Sequence, residues 1–271
     1  MSLLIITWLA TTFPLCPATA AELDAPRDVT FQSKYDNSEQ RYVIQLPTEF
    51  DPQQPHMLLI ALHGHGSDRW QFVQNPRDEC RAARDAAARH NCIYVSPDYR
   101  AATSWMGPAA TADIEQILNE LKKEYRVSQV IVSGGSMGGT SALAFATLSP
   151  DLVNGVVSLN GTANLVEYAG FPEAIAASYG GTRTEIPEVY RQRSAELFPE
   201  KLTMPIAMTT GGLDRLVPPD SCLRLANNLK QKERPVFSIH RPDGGHDTNY
   251  ADATAAYEFV FRLVAASTTN P

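Results

Sequence analysis

The stretch VIVSGGSMGGTSALAFA, residues 130–146, crowds four glycines around one serine, between an apolar run and a helix-like run. Its first residues read as a strand, and GTSALAFATLS (139–149) reads as a helix. At the junction, Gly134-Gly135-Ser136-Met137-Gly138 has the form G-x-S-x-G. That form marks a sharp strand-to-helix turn, in which the serine takes a strained backbone conformation and its side chain stands clear of the sheet. Glycines two before and two after the serine let neighbouring backbone approach without Cβ clashes. The following helix start adds a positive dipole end and free N–H groups, that of Met137 first. A glycine-rich turn can also cradle phosphate, but this one lacks the lysine of a P-loop.

Outward from this turn, apolar runs alternate with helical runs. VTFQSK and QRYVIQL read as two strands joined by the turn-prone YDNSE. HMLLIAL (56–62) is a nearly continuous apolar run, the pattern of a strand buried on both faces. CIYVSP, QVIVSG, VNGVVSLN, PIAMTTG and PVFSIHR read as further strands. Between them, ADIEQILNELKKEY puts Ile114, Ile117, Leu118 and Leu121 at helical spacing. DSCLRLANNLKQK reads as a helix capped by Asp220, and NYADATAAYEFVFRLVAA as a closing helix. Such alternation predicts a mostly parallel sheet with helices on both faces. Sites in such sheets lie in loops at the carboxyl ends of the strands.

Three further pieces fall at strand ends. The loop LHGHGSD (62–68) is placed to supply a second backbone N–H beside that of Met137; His65 is the expected donor, with Gly66 the competitor. His63 is expected to brace this loop by hydrogen bonding. Asp214, in TTGGLDRLVPPD, follows a strand and lies between Ser136 and the later histidines in chain order. His246, in SIHRPDGGHDTNY, lies past a strand end after two glycines, whereas His240 falls inside the strand. A serine hydroxyl is a poor nucleophile until a base takes its proton. His246 is the expected base, and Asp214 the group that fixes its tautomer and stabilises the imidazolium.

Composition narrows the partners. At 44% hydrophobic and 20% charged residues the chain has a globular makeup. A net charge of −7 repels polyphosphate, and no basic stripe interleaved with aromatics is present, so nucleic acid is excluded as a partner. Residues 1–20 have the form of a secretory signal: an apolar core from Leu3 to Phe13, then Ala18-Thr19-Ala20 with cleavage expected after Ala20. No Lys or Arg precedes that core, a departure from the usual signal. The core is shorter than the roughly 20 residues a membrane span needs. The flanking residues do not make Cys16 a lipid anchor. Export implies a secreted or periplasmic protein with residues 21–271 as one catalytic domain. Of the remaining cysteines, Cys80 and Cys92 bracket a helical run whose ends lie about 15 Å apart. That exceeds the roughly 7 Å a disulfide tolerates, so these two and Cys222 are expected as buried thiols. No Cys/His cluster has zinc spacing, and no metal or organic cofactor is expected.

GGSMGG, LHGHGSD, GGLDRLVPP and DGGH together resemble the α/β-hydrolase superfamily across nearly all of residues 29–265. Within it the chain resembles prolyl-oligopeptidase-like hydrolases and secreted feruloyl-esterase- and polyhydroxybutyrate-depolymerase-like esterases. The segment SYGGTRTEIPEVYRQRSAELFPEKL (178–202) is similar to the one before the acid strand in prolyl-oligopeptidase-like catalytic domains. The resemblance implies an α/β-hydrolase fold with Ser136, Asp214 and His246 as its triad. Two departures are visible. Only eight residues lie between the expected cleavage point and Val29, too few for the β-propeller of prolyl oligopeptidases. Some of those peptidases use a tyrosine hydroxyl as oxyanion donor where this loop has His65. Both favour an open esterase acting on a small or carbohydrate-linked ester. A peptidase or amidase, and a silent binding module on the same fold, are the alternatives.

The pocket is less legible. DYRAATSWMGP (98–108) follows a strand end, so Tyr99, Trp105 and Met106 either line the cleft, where an aromatic suits a sugar ring or an aryl acyl group, or pack the loop. Asn160 borders the site or makes a turn. Residues 161–201, irregular with helical pieces, are expected as a small cap that carries specificity.

Overall fold

Leu58, Ile60 and Leu62 point to one side of their strand and Leu59 and Ala61 to the other, and all five are fully buried. The two sets belong to two separate apolar clusters. One chain segment therefore divides the interior into two layers, as its unbroken apolar run predicts. A computed structural model describes residues 22–268. The leader and the expected cleavage after Ala20 lie outside the described residues.

Eight strands form the sheet: β1 (Arg27–Gln32), β2 (Glu39–Gln45), β3 (His56–Leu62), β4 (Ile93–Pro97), β5 (Val127–Gly135), β6 (Gly155–Leu159), β7 (Ile206–Gly211) and β8 (Val236–Arg241). Their order is β1-β2-β4-β3-β5-β6-β7-β8. β2 runs antiparallel to β1 and β4, and every pairing from β4 through β8 is parallel. The helices are α1 (Gln71–Gln74), α2 (Asp78–Arg89), α3 (Pro108–Glu124), α4 (Met137–Leu148), α5 (Pro172–Tyr179), α6 (Pro187–Gln192), α7 (Asp220–Gln231) and α8 (Tyr250–Thr268). Ile114 and Leu118 of α3, Phe145 of α4 and Leu225 of α7 cover one sheet face; Ala83 and Ala87 of α2 with Tyr257 and Phe261 of α8 cover the other. Burying a leucine- or phenylalanine-sized side chain is worth about 1.5–3 kcal/mol, so these stripes hold the helices on the sheet.

One local reading changes. Asp220 does not cap α7: it is the first helical residue, Pro219 occupies the cap, and no side chain bonds there. The Pro218-Pro219 pair explains the shift, because a proline's fixed φ enters the helical region directly. Residues 161–201 pack into the main core. Tyr168, Ile175, Tyr179, Tyr190 and Ala195 are buried in the same cluster as α3 and α4. Cys80, Cys92 and Cys222 are free and buried, as expected.

At the end of β5 the chain turns into α4 hard against β3. A Cβ on Gly138 would lie 2.0 Å from the Leu62 carbonyl oxygen, a backbone atom that cannot step aside. On Gly135 it would meet only Phe72 and Glu79, at 3.7 and 3.8 Å. Gly138→Ala should therefore cost on the order of 3 kcal/mol or more of stability, whereas Gly135→Ala should be nearly silent. Urea denaturation of the two variants checks this, and similar midpoints would contradict it.

Candidate active site

Ser136 sits between β5 and α4 with φ 58° and ψ −118°. Such a conformation costs a non-glycine residue about 1–3 kcal/mol. It is held because the Ser136 N–H donates to Leu159 O at 2.8 Å and Ser136 O accepts from Thr140 N at 3.0 Å. The turn lifts Oγ to 2.8 Å from His246 Nε2.

His246 lies between β8 and α8, and Asp214 just beyond β7. Asp214 Oδ2 is 2.6 Å from His246 Nδ1, while Oδ1 accepts N–H bonds from Leu216 at 3.0 Å and Val217 at 2.9 Å. With its side chain only 1% exposed, this carboxylate is satisfied on both oxygens. Its position requires the proton of His246 on Nδ1, which leaves Nε2 free to accept from the Ser136 hydroxyl. The two loops are bonded to each other: Gly212 N donates to Arg241 O and Leu213 N to Gly244 O, both at 2.8 Å. The three residues far apart in sequence thus form one continuous hydrogen-bonded chain.

Asn160 is the anchor of the histidine loop. Its φ of 51° makes the expected turn after β6. Its Nδ2 donates to Gly245 O at 3.3 Å, and its Oδ1 accepts from the Thr209 and Thr248 hydroxyls. A second tie is ionic. Arg241 at the end of β8 donates twice to Asp252 in the first turn of α8, closing the loop that carries His246.

The Met137 N–H opens α4 and has no acceptor within the helix. Gly66 N–H, the competitor for the second position, donates to Ala102 O at 2.8 Å. His65 N–H has no acceptor among the described residues, which leaves His65 as the available donor in this loop. His63 lies between the carbonyls of Gly64 at 2.8 Å and Asp98 at 3.0 Å, and burial holds its pKa below the ordinary value. These contacts brace the loop from both edges of the ring.

Tyr99 and Trp105 do not line the cleft. Tyr99, 2% exposed, donates its hydroxyl to His63 O at 2.6 Å. Trp105, fully buried, donates Nε1–H to His65 Nδ1 at 3.1 Å and packs against Tyr168 and Phe171. Positive φ values at Tyr99, Arg100, Trp105 and Met106 fold the loop inward. Both aromatics bond into the HGHG loop and support it. Because Trp105 donates to Nδ1, the neutral His65 ring carries its proton on Nε2; desolvation also lowers its pKa.

The cavity at Ser136 encloses about 230 Å³. Its lining mixes apolar Phe72, Leu159, Phe171 and Leu216 with polar Gln71, Arg77, Glu79 and Asp247, and includes Asn160, His65 and His246. Of residues 161–201, only Phe171 reaches it. Sequence reasoning missed Gln71, Phe72, Arg77 and Glu79. Their one signal was proximity in chain to the HGHG loop. Among the described residues, no cluster of three or more His, Cys, Asp or Glu is placed to hold a metal. No helix there is long and apolar enough to cross a membrane.

The sheet order, the turn at Ser136 and the acid and histidine loops define the α/β-hydrolase fold. Known structures share it. A puromycin-hydrolyzing peptidase of Mycobacterium tuberculosis superposes with a TM-score of 0.71 at 16% identity, covering 93% of this chain and 40% of that one. A ferulic acid esterase gives 0.67 at 20% identity, covering 90% and 98%. Residues 98–265 match the prolyl oligopeptidase family, and the chain belongs to that family. Feruloyl esterase C of Emericella nidulans is 27% identical over 108 residues, 39% of this chain and 40% of that protein. An sn-1-specific diacylglycerol lipase of Xenopus tropicalis is 32% identical over 134 residues, 47% of this chain and 39% of that protein. The matched stretch spans about two fifths of these curated relatives.

The Arg241–Asp252 tie sets a pH dependence. Hydrogen bonds from Arg241 hold the Asp252 carboxyl below its ordinary range, against the opposing effect of burial. A folded-state pKa below the unfolded one contributes stability that is present above about pH 4 and lost as pH falls through the folded value. Asp252→Asn should therefore be less stable than wild type at neutral pH, with the gap closing in acid. Thermal melts from pH 7 to pH 3 test it, and a pH-independent gap would refute the assignment.

Proposed function

We propose that the chain is a serine hydrolase that cleaves carboxylic esters through an acyl-enzyme. The observation that carries this reading is the Asp214–His246–Ser136 hydrogen-bonded chain, at 2.6 and 2.8 Å, ending beside two free backbone N–H groups. As Ser136 Oγ attacks the ester carbonyl, its proton passes to His246 Nε2. The carbonyl oxygen becomes an oxyanion and accepts from the N–H groups of His65 and Met137. Asp214 stabilises the imidazolium. The proton then goes to the departing alkoxide, leaving the acyl group on Ser136. Water repeats the cycle and releases the acid. Each oxyanion donor is worth about 3 kcal/mol of barrier lowering in such sites.

Ester over amide chemistry is supported by the two curated relatives, named as an esterase and a lipase. The substrate is taken to be a short-acyl or carbohydrate-linked ester. A peptidase reading is favoured by the family match itself and by the segment from Gly180 to Ala195. Ser136→Ala should lower nitrophenyl ester turnover by roughly 10⁴-fold or more while the protein stays folded. It should also abolish labelling by a fluorophosphonate. Retained turnover would remove the proposal, and peptide anilide turnover matching that of esters would transfer it to the peptidase.

The reading includes export, which rests on the leader Met1–Ala20 alone. N-terminal sequencing of protein recovered outside the cytoplasm should begin at Ala21. An intact Met1 on such protein would contradict cleavage.

A further inference from the structure

The cavity lining contains an ion pair that the proposed chemistry does not use. Arg77 Nε lies 2.9 Å from Glu79 Oε1. The arginine side chain is 50% exposed and the glutamate 12%. Both line the cavity at Ser136. Glu79 also forms its wall next to the nucleophile, since its Cγ and Phe72 Cζ are the atoms that face Gly135. Glu79 Oε2 and the two terminal nitrogens of Arg77 have no hydrogen-bond partner among the described residues. A mostly buried glutamate on the cavity lining thus has an unused carboxylate oxygen beside unused guanidinium donors.

The pair is neutral as a unit, so it selects neither a cation nor an anion by charge. Asp247, exposed on the same lining, works against an anion. What the pair offers is an acceptor next to donors. A vicinal diol matches this: one hydroxyl donates to Glu79 Oε2 and the adjacent oxygen accepts from Arg77. Phe72 supplies an apolar surface for the carbons that bear those hydroxyls. We propose that Arg77 and Glu79 form a subsite for a vicinal diol on the alcohol portion of the substrate, as in an ester of a sugar or of glycerol. This rests on the ester-hydrolase reading. An alkyl alcohol in the same place leaves both polar groups desolvated and unpaired, which is how polar sites reject analogues that lack a hydroxyl.

The test compares kcat/KM for glycerol monobutyrate, butyryl glucose and propyl butyrate by titrating the released acid, with Ser136→Ala as the blank. Propyl butyrate keeps the acyl group and lacks the diol. Wild type should prefer at least one diol ester over propyl butyrate by about tenfold or more. That ratio should fall towards one in Arg77→Met and in Glu79→Gln. Whichever diol ester leads identifies the source, sugar or glycerol. Arg77 is half-exposed, so Arg77→Met tests the subsite even if Glu79→Gln misfolds; thermal melts of both variants are read alongside. Ser136-dependent turnover of propyl butyrate with no diol preference, or a ratio unchanged in Arg77→Met, overturns the subsite and leaves the hydrolase reading standing. No Ser136-dependent turnover of any ester overturns the hydrolase reading, and the subsite with it.

Discussion

The close approach of the start of α4 to the end of β3 is the constraint on which the site depends. With 2.0 Å between a would-be Cβ on Gly138 and the Leu62 carbonyl oxygen, no side chain fits there. The same approach brings the Met137 N–H and the loop after Leu62 to one place. It also forces the left-handed backbone at Ser136 that turns Oγ away from the sheet. Strain at the serine, the N–H at the start of α4 and a hydroxyl turned towards His246 go with one packing contact. The energy stored in that turn is offset by the strands around it, since Ser136 N–H bonds across to the end of β6.

Around this contact, the polar groups that organise the site are almost all satisfied. Asp214 spends one oxygen on backbone N–H groups and the other on His246. Asn160 binds the histidine loop through both ends of its amide. Buried polar networks rigidify when complete and are costly when incomplete. Rigidity here means that His246 is held in its orientation by the fold itself.

The chain order of serine, acid and histidine was legible because each residue sits at a strand end marked by glycine or proline. The sheet was legible because HMLLIAL and its neighbours are apolar without interruption. The pocket was not. Tyr99 and Trp105 looked like cleft residues, yet positive φ values in their loop turn them under the HGHG loop. Nothing in a run of bulky residues announces a positive φ, which is uncommon without glycine. That loop is pinned from below by Arg100, bonded to the buried Asp113, a long-range contact with no local signature. Arg77 and Glu79 were hidden for a related reason: they lie at the start of an ordinary-looking helix, and periodicity says nothing about which end of a helix meets a cavity.

The aromatic group formed by Tyr168, Phe171, Trp105 and His65 has one more consequence. Tyr168 donates its hydroxyl to Leu216 O in the loop of Asp214, and Trp105 donates to His65 in the HGHG loop. Both rings belong to one stack, which includes two residues of the 161–201 segment. Displacing that segment would disturb the loops of Asp214 and His65 together. The 161–201 segment is thus a shared brace, whose aromatic side chains couple the loop of Asp214 to the loop of His65.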